Sequence, residues 1–274
     1  METNDRLRIL VVGAHPDDAD ATAGGVAALY ARHGHIVKML SLTNGDAGHH
    51  EIGGAPLAWR RRKEAEAAGR AVGAEYVVFD NHDGELMPTL EVRNQLIAFI
   101  REFRPDMVMS PRPWDYHPDH RAAGQLVMDA MYMLTVPNVV SRVPHLNKMP
   151  VGIYVADRFK KPYPFEPDVV VDIDSVIDQK IAALDAHESQ VYEWLPYNRN
   201  ELDQVPADPE ARRTWLREQW YGPRGHRLAD EYRDLLIARY GPERGSKVQF
   251  AEAFEGSEYG SPLTEEAIER LFPF

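Results

Sequence analysis

The chain has 274 residues, enough to bury one sizeable core, and its 44% hydrophobic and 27% charged content is that of a globular protein, not a disordered or fibrous one. Acidic residues outnumber basic ones 43 to 31, and a net charge of −12 repels phosphate backbones, which argues against a nucleic-acid partner. The absence of cysteine excludes disulfides, thiolate-held zinc, iron–sulfur clusters and a cysteine nucleophile, so any metal must be held by His, Asp or Glu, and the chain has 11 His.

Residues 1–8 are charged and lead directly into an apolar stretch, without the hydrophobic segment and cleavage site of a signal peptide. No apolar run is long enough to span a bilayer. A soluble, cytoplasmic protein is the expectation. Residues 7–12, apolar, β-branched and closed by Gly13, predict a buried strand. The Ala-rich segment 19–32, ended by Gly34, predicts a helix. A strand at 36–42, a helix at 57–72, a strand at 76–79, a helix at 90–103 stopped by Pro105, a strand at 107–110 and a helix at 119–134 follow. This alternation predicts one α/β, Rossmann-like domain spanning the chain, with a mostly parallel sheet covered by helices on both faces.

Further strands are expected at 152–155, 169–172 and 247–254, with helices at 175–188 and 230–240. Residues 192–227 are rich in Trp, Tyr, Pro, Arg and Asp and show no clear period. They read as a lid or a homo-oligomer contact within a helical and irregular C-terminal extension, 191–274, of a core at about 7–190.

Two segments carry chemistry. Gly13-Ala14-His15-Pro16-Asp17-Asp18-Ala19-Asp20 lies where the first strand meets the first helix. Trp114-Asp115-Tyr116-His117-Pro118-Asp119-His120 lies after the fourth strand. Open parallel sheets bind ligands at the carboxyl ends of their strands, near a topological switch point. Acidic residues in a first helical turn also serve the helix dipole, which accounts for one or two Asp but not for His15. The dinucleotide fingerprint is absent, and three carboxylates would repel a pyrophosphate.

A mixed His/Asp set suits zinc, which takes three protein ligands plus water in catalytic sites. Of the adjacent Asp17 and Asp18, one can bind the metal while the other acts as general base toward water. A protonated imidazole can stabilise an oxyanion and later protonate a leaving amine, with Asp119 orienting it. The set is hydrolytic, suited to an amide or ester. A rival reading, a metal-dependent glycosyltransferase, rests on Asp18-Ala19-Asp20; a second is a zinc- or carbohydrate-binding protein without turnover.

The pair AHPDD and HPDH, each after a strand, resembles the LmbE/PIG-L-type zinc-dependent N-deacetylases. Supporting stretches are Thr43–Gly48, Arg61–Glu64, His82–Leu86 and Lys180–Gln190, with a weaker echo at Phe250–Phe254. The resemblance implies a small-molecule N-acetylglucosamine-type substrate, and the lack of a spanning apolar run leaves no membrane partner expected. It implies His15, Asp18 and His120 as ligands to Zn2+, with Fe2+ or another divalent ion as substitute. It further implies Asp17 as general base, His117 as oxyanion stabiliser or acid with Asp119 behind it, and Arg61 and Asp83 as contacts to sugar hydroxyls. Asp20 stands where the family usually has Glu. His49 and His50 are expected to be exposed, and His187 to pack or cap a helix end.

Overall fold

The computed structural model describes residues 6–274; residues 1–5 of the charged N-terminal stretch lie outside the described residues. The strands are β1 (Arg8–Gly13), β2 (Ile36–Thr43), β3 (Glu75–Asn81), β4 (Met107–Ser110), β5 (Val151–Val155), β6 (Val169–Asp172) and β7 (Ala251–Ser257). They form one sheet in the order β3-β2-β1-β4-β5-β7-β6. The first five run parallel. β7 lies antiparallel between β5 and β6.

Helices α1 (Asp18–Arg32), α2 (Ala55–Val72), α3 (Leu90–Phe103), α4 (Pro118–Met133) and α5 (Ile177–Ala186) cover both faces. In β1, Ile9 and Val11 pack toward α1, α2 and α5, while Leu10 and Val12 pack toward α3 and α4. A strand covered on both sides needs apolar residues at every position, which is why it reads as a continuous run. β2 and β4 flank β1 on opposite sides, and α1 and α4, which follow β1 and β4, cover opposite faces, which makes the gap between these strands a switch point.

The segment read as an irregular extension contributes more than a tail. It supplies β7, next to the edge strand β6, and helices α6 (Leu195–Asn198), α7 (Pro209–Trp215), α8 (Gly222–Glu231), α9 (Arg233–Gly245) and α10 (Glu265–Leu271). Trp215 and Trp220 pack against the main core.

β7 also explains a break in α1. The backbone is non-helical at Ala23, with φ −137° and ψ 15°. A broken helix leaves amides and carbonyls unpaired. Glu252 of β7 accepts from the amides of Gly25 and Val26 at 2.9 and 2.8 Å. Lys180 of α5 donates to Ala21 O at 3.1 Å and pairs with Glu252. This buried ion pair therefore serves both ends of the break. Arg101 of α3 plays a similar part on the other face, donating to the carbonyls of Leu134, Val139, Val140, Val143, Met133 and Val136.

Candidate metal centre and active site

Both motif loops meet at the switch point. Gly13 closes β1, and a Cβ there would lie 2.6 Å from that of Asp18, so only glycine lets this carboxylate fold back over the strand end. Asp18 Oδ2 accepts from the amides of Ala14 and His15 at 2.9 and 2.8 Å. Ser41 and Thr43 donate to Ala14 O at 3.0 and 2.8 Å, which pins the same turn to β2.

His15 has two differently occupied edges. Its Nδ1 lies 3.2 Å from His120 Nε2 and 3.5 Å from Asp18 Oδ2. His120 Nε2 in turn lies 3.4 Å from Asp18 Oδ1. Donors held tetrahedrally at about 2.0–2.2 Å from one zinc ion lie about 3.3–3.6 Å apart, and each ring nitrogen lies at about that spacing from a carboxylate oxygen of Asp18, His15 from Oδ2 and His120 from Oδ1. Two overlapping sets also converge on His15, one with His117 and His120 and one with Asp83 and Asp119. The second of these belongs to the opposite edge: His15 Nε2 lies 3.1 Å from Asp83 Oδ1 and 3.3 Å from Asp119 Oδ2. A ligating imidazole that gives its far N–H to a carboxylate is fixed in tautomer and orientation.

The charges follow from this packing. Burial alone would lower the His15 pKa, but Asp119, Asp18 and Asp83 raise it well above its ordinary value. Burial opposes ionisation of Asp18, yet His120 and His15 hold it well below the carboxylate range. For His120 burial again lowers the pKa, and Asp18 and Asp115 overcome it to about 10. His117 is lowered by its burial and by His15 and His120.

Several expected roles change. Asp119 does not orient His117 through its side chain: its carboxylate faces His15 and accepts from the amides of Gly84 (2.7 Å) and Leu86 (3.2 Å). His117 caps α4, its Nδ1 accepting the Asp119 amide at 3.2 Å. That bond places the imidazole proton on Nε2, so His117 is a neutral donor where a protonated ring is expected from the sequence. Arg61 is 1% exposed and turned inward. It donates to Asp17 Oδ1 (3.1 Å), Pro16 O (3.3 Å) and Gly45 O (3.3 Å) and lies 3.6 Å from Asp83. Gly45, at φ 71°, lies so close that a Cβ would be 2.4 Å from the guanidinium. Arg61 and Asp83 thus organise the site from within, where sugar contacts are expected.

His49 and His50 are not exposed. His49 Nε2 pairs with Glu193 at 2.8 Å, and His50 stacks on Tyr197 at 4.1 Å. Glu193 also takes Arg60 through two bonds of 2.7 Å. Asp20 points away from Asp18 to a wholly buried contact with His187 at 2.8 Å, so Asp18 and Asp20 do not share one cation as the glycosyltransferase reading requires. One residue that the structure brings against this site was missed. Asp115 Oδ1 lies 3.1 Å from His120 Nδ1 and accepts the His117 amide at 2.9 Å. A carboxylate five residues before a candidate histidine ligand was the available signal.

The PIG-L: GlcNAc-PI de-N-acetylase family matches residues 10–131, from within β1 to within α4. The diacetylchitobiose deacetylase of Thermococcus kodakarensis is 34% identical over 213 residues, covering 72% of this chain and 76% of that protein. The chain belongs to the PIG-L family. A 4-oxalmesaconate hydratase of Pseudomonas putida is 29% identical over 198 residues, covering 69% and 76%. The solved N,N'-diacetylchitobiose deacetylase of Pyrococcus horikoshii superposes with a TM-score of 0.71 at 24% identity, covering 93% of this chain and 85% of that one, a likeness of fold. The family match encloses both motif loops of this PIG-L protein, whose His and Asp side chains form a site able to hold a divalent cation. Among the described residues no helix is long and apolar enough to cross a membrane.

Proposed function

We propose that this PIG-L protein is a metal-dependent hydrolase, with zinc as its ion, that removes the acetyl group from an N-acetylated amino sugar. The observation that carries the reading is the meeting of His15 Nδ1, His120 Nε2 and the two carboxylate oxygens of Asp18 at 3.2–3.5 Å, while the adjacent Asp17 is held by Arg61. The deacetylase relative supports the reaction class. Ferrous iron suits the same donors.

A divalent ion held by His15, Asp18 and His120 would polarise the acetamide carbonyl and acidify water. The chain's own groups do the rest. Arg61 fixes Asp17 through Oδ1, leaving the other oxygen for water. Asp17 takes the proton as water attacks the carbonyl carbon and returns it to the leaving nitrogen. His117 Nε2–H donates to the carbonyl oxygen as negative charge develops there. The carbon–nitrogen bond then breaks, releasing acetate and the free amine.

The hydratase relative supplies the rival reading. The site favours a neutral substrate over an anionic one. Asp18, Asp83, Asp115 and Asp119 lie against His15 or His120, and Arg61 is committed to Asp17 and Asp83. The test is acetate release by zinc-loaded protein from a panel of N-acetylglucosamine conjugates, including diacetylchitobiose, run beside 4-oxalmesaconate. Acetate with stoichiometric free amine supports the reading. Hydration of 4-oxalmesaconate with no acetate from any acetamido sugar overturns it.

A further inference from the structure

We propose that the exposed ring of Tyr116 is the platform on which the apolar face of the acetamide-bearing pyranose stacks. The inference rests on the amino-sugar reading above and adds a specificity-determining residue to it.

Tyr116 is 72% exposed, the most exposed aromatic ring among the described residues. Its centroid lies 5.8 Å from that of His117 and 5.7 Å from that of His120, with interplanar angles of 87° and 74°. Neither ring stacks on Tyr116, and at that exposure most of the residue is open to solvent beside the candidate metal donors. Isolated surface aromatics are common and need no role. Trp59 (67% exposed) and Tyr132 (65%) are of that kind. Tyr116 differs because its backbone is clamped. Arg121 donates to the carbonyls of Asp115 (2.7 Å) and Tyr116 (3.1 Å). Asp115 is tied to the His117 amide and to His120, and Pro118 stiffens the exit.

An open ring on a fixed backbone is pre-organised for a partner, since little ordering remains to be done on binding. The partner's chemistry follows from the surroundings. A pyranose offers an apolar face of axial C–H groups and an edge of hydroxyls. The ring takes the face, and the neighbouring carboxylates suit hydroxyl donors. An acetamide at the metal donors puts its sugar ring only two bonds beyond the carbonyl carbon, within reach of a ring 5.7 Å from His120.

The test is saturation-transfer NMR of N-acetylglucosamine and diacetylchitobiose on zinc-loaded protein, run with steady-state kinetics. Tyr116→Ala, Tyr116→Phe and the control Trp59→Ala are compared, with metal content and thermal unfolding checked for each. In wild type and Tyr116→Phe, one face of axial sugar protons takes the strongest saturation. Tyr116→Ala loses that pattern and raises KM by about tenfold, the scale of one aromatic contact, while kcat and metal content hold. Trp59→Ala changes neither. A KM within twofold of wild type and an unchanged saturation pattern in Tyr116→Ala overturns the proposal. Equal losses in Tyr116→Phe and Tyr116→Ala overturn it too, because the hydroxyl and not the ring face would then matter. Stacking without acetate release refutes the deacetylase reading alone; neither binding nor acetate release in wild type refutes both.

Discussion

Replacing Lys180 by Met tests whether the buried pair with Glu252 holds the broken first helix together. The variant keeps most of the side-chain volume but leaves the Glu252 carboxylate without its cation in a site where both groups are 1% exposed or less. It also strips Ala21 O of its donor. Breaking one partner of a buried ion pair costs about 3–5 kcal/mol, and an unpaired buried carbonyl adds about 1–3 kcal/mol. Part of this overlaps, so about 4 kcal/mol is expected, against a typical total stability of roughly 5–15 kcal/mol. Urea unfolding followed by circular dichroism reads it directly. The double variant Lys180→Met/Glu252→Gln removes both charges and should recover a good share of the loss, since a neutral amide still accepts from the freed amides of α1. A single variant within 1 kcal/mol of wild type, or a double variant as damaged as the sum of the singles, would refute the role given to this pair.

Arg101→Ala should cost about 3 kcal/mol or more in the same urea assay, because carbonyls of the 133–143 turn lose a shared donor; Arg101→Lys should restore little, since one ammonium cannot span them. Asp115→Ala should weaken zinc binding about 10–100-fold, measured by competition with a chelating dye, as His120 loses the carboxylate that orients it. Zinc affinity should rise with pH. His15 is raised well above its usual value and His120 to about 10, so each holds a proton that the ion must displace, and the share due to His120 should level off only above about pH 10. In chelator-treated protein the raised value of His120 stabilises the fold fully below the unfolded-state pKa of about 6.5, and that contribution should fade as pH climbs through about 10.

The parallel half of the fold was legible because its signals are local. Each strand from β1 to β5 is a short apolar run, and each intervening helix has its own period and stop. The two motif loops were legible for the same reason, since their candidate donors cluster in short segments between a strand end and the first turn of the next helix. What was hidden depends on partners far along the chain. Asp119 meets His15 across 104 residues, and that contact moves it away from the His117 role expected of it. His49 is buried by Glu193, 144 residues on, though its Gly-rich surroundings suggest an open loop. The segment from Ser189 to Tyr221 includes two stretches of wide π-type turns, Ser189–Trp194 and Leu216–Tyr221, which blur the 3.6-residue period. Phe250–Phe254 looks like a faint echo because its one informative residue, Glu252, works only against Lys180 and the break in α1.

The division of labour between adjacent aspartates is the centre of the proposed mechanism, and Asp17→Asn tests it most directly. Zinc content and acetate release from an N-acetylated amino sugar are measured on the same preparation. The predicted result is one zinc per chain, as in wild type, with kcat reduced by about 100-fold or more, the scale of losing a general base. Near-wild-type turnover in zinc-loaded Asp17→Asn would contradict the assignment of the base, and loss of the zinc itself would contradict the assignment of the ligands.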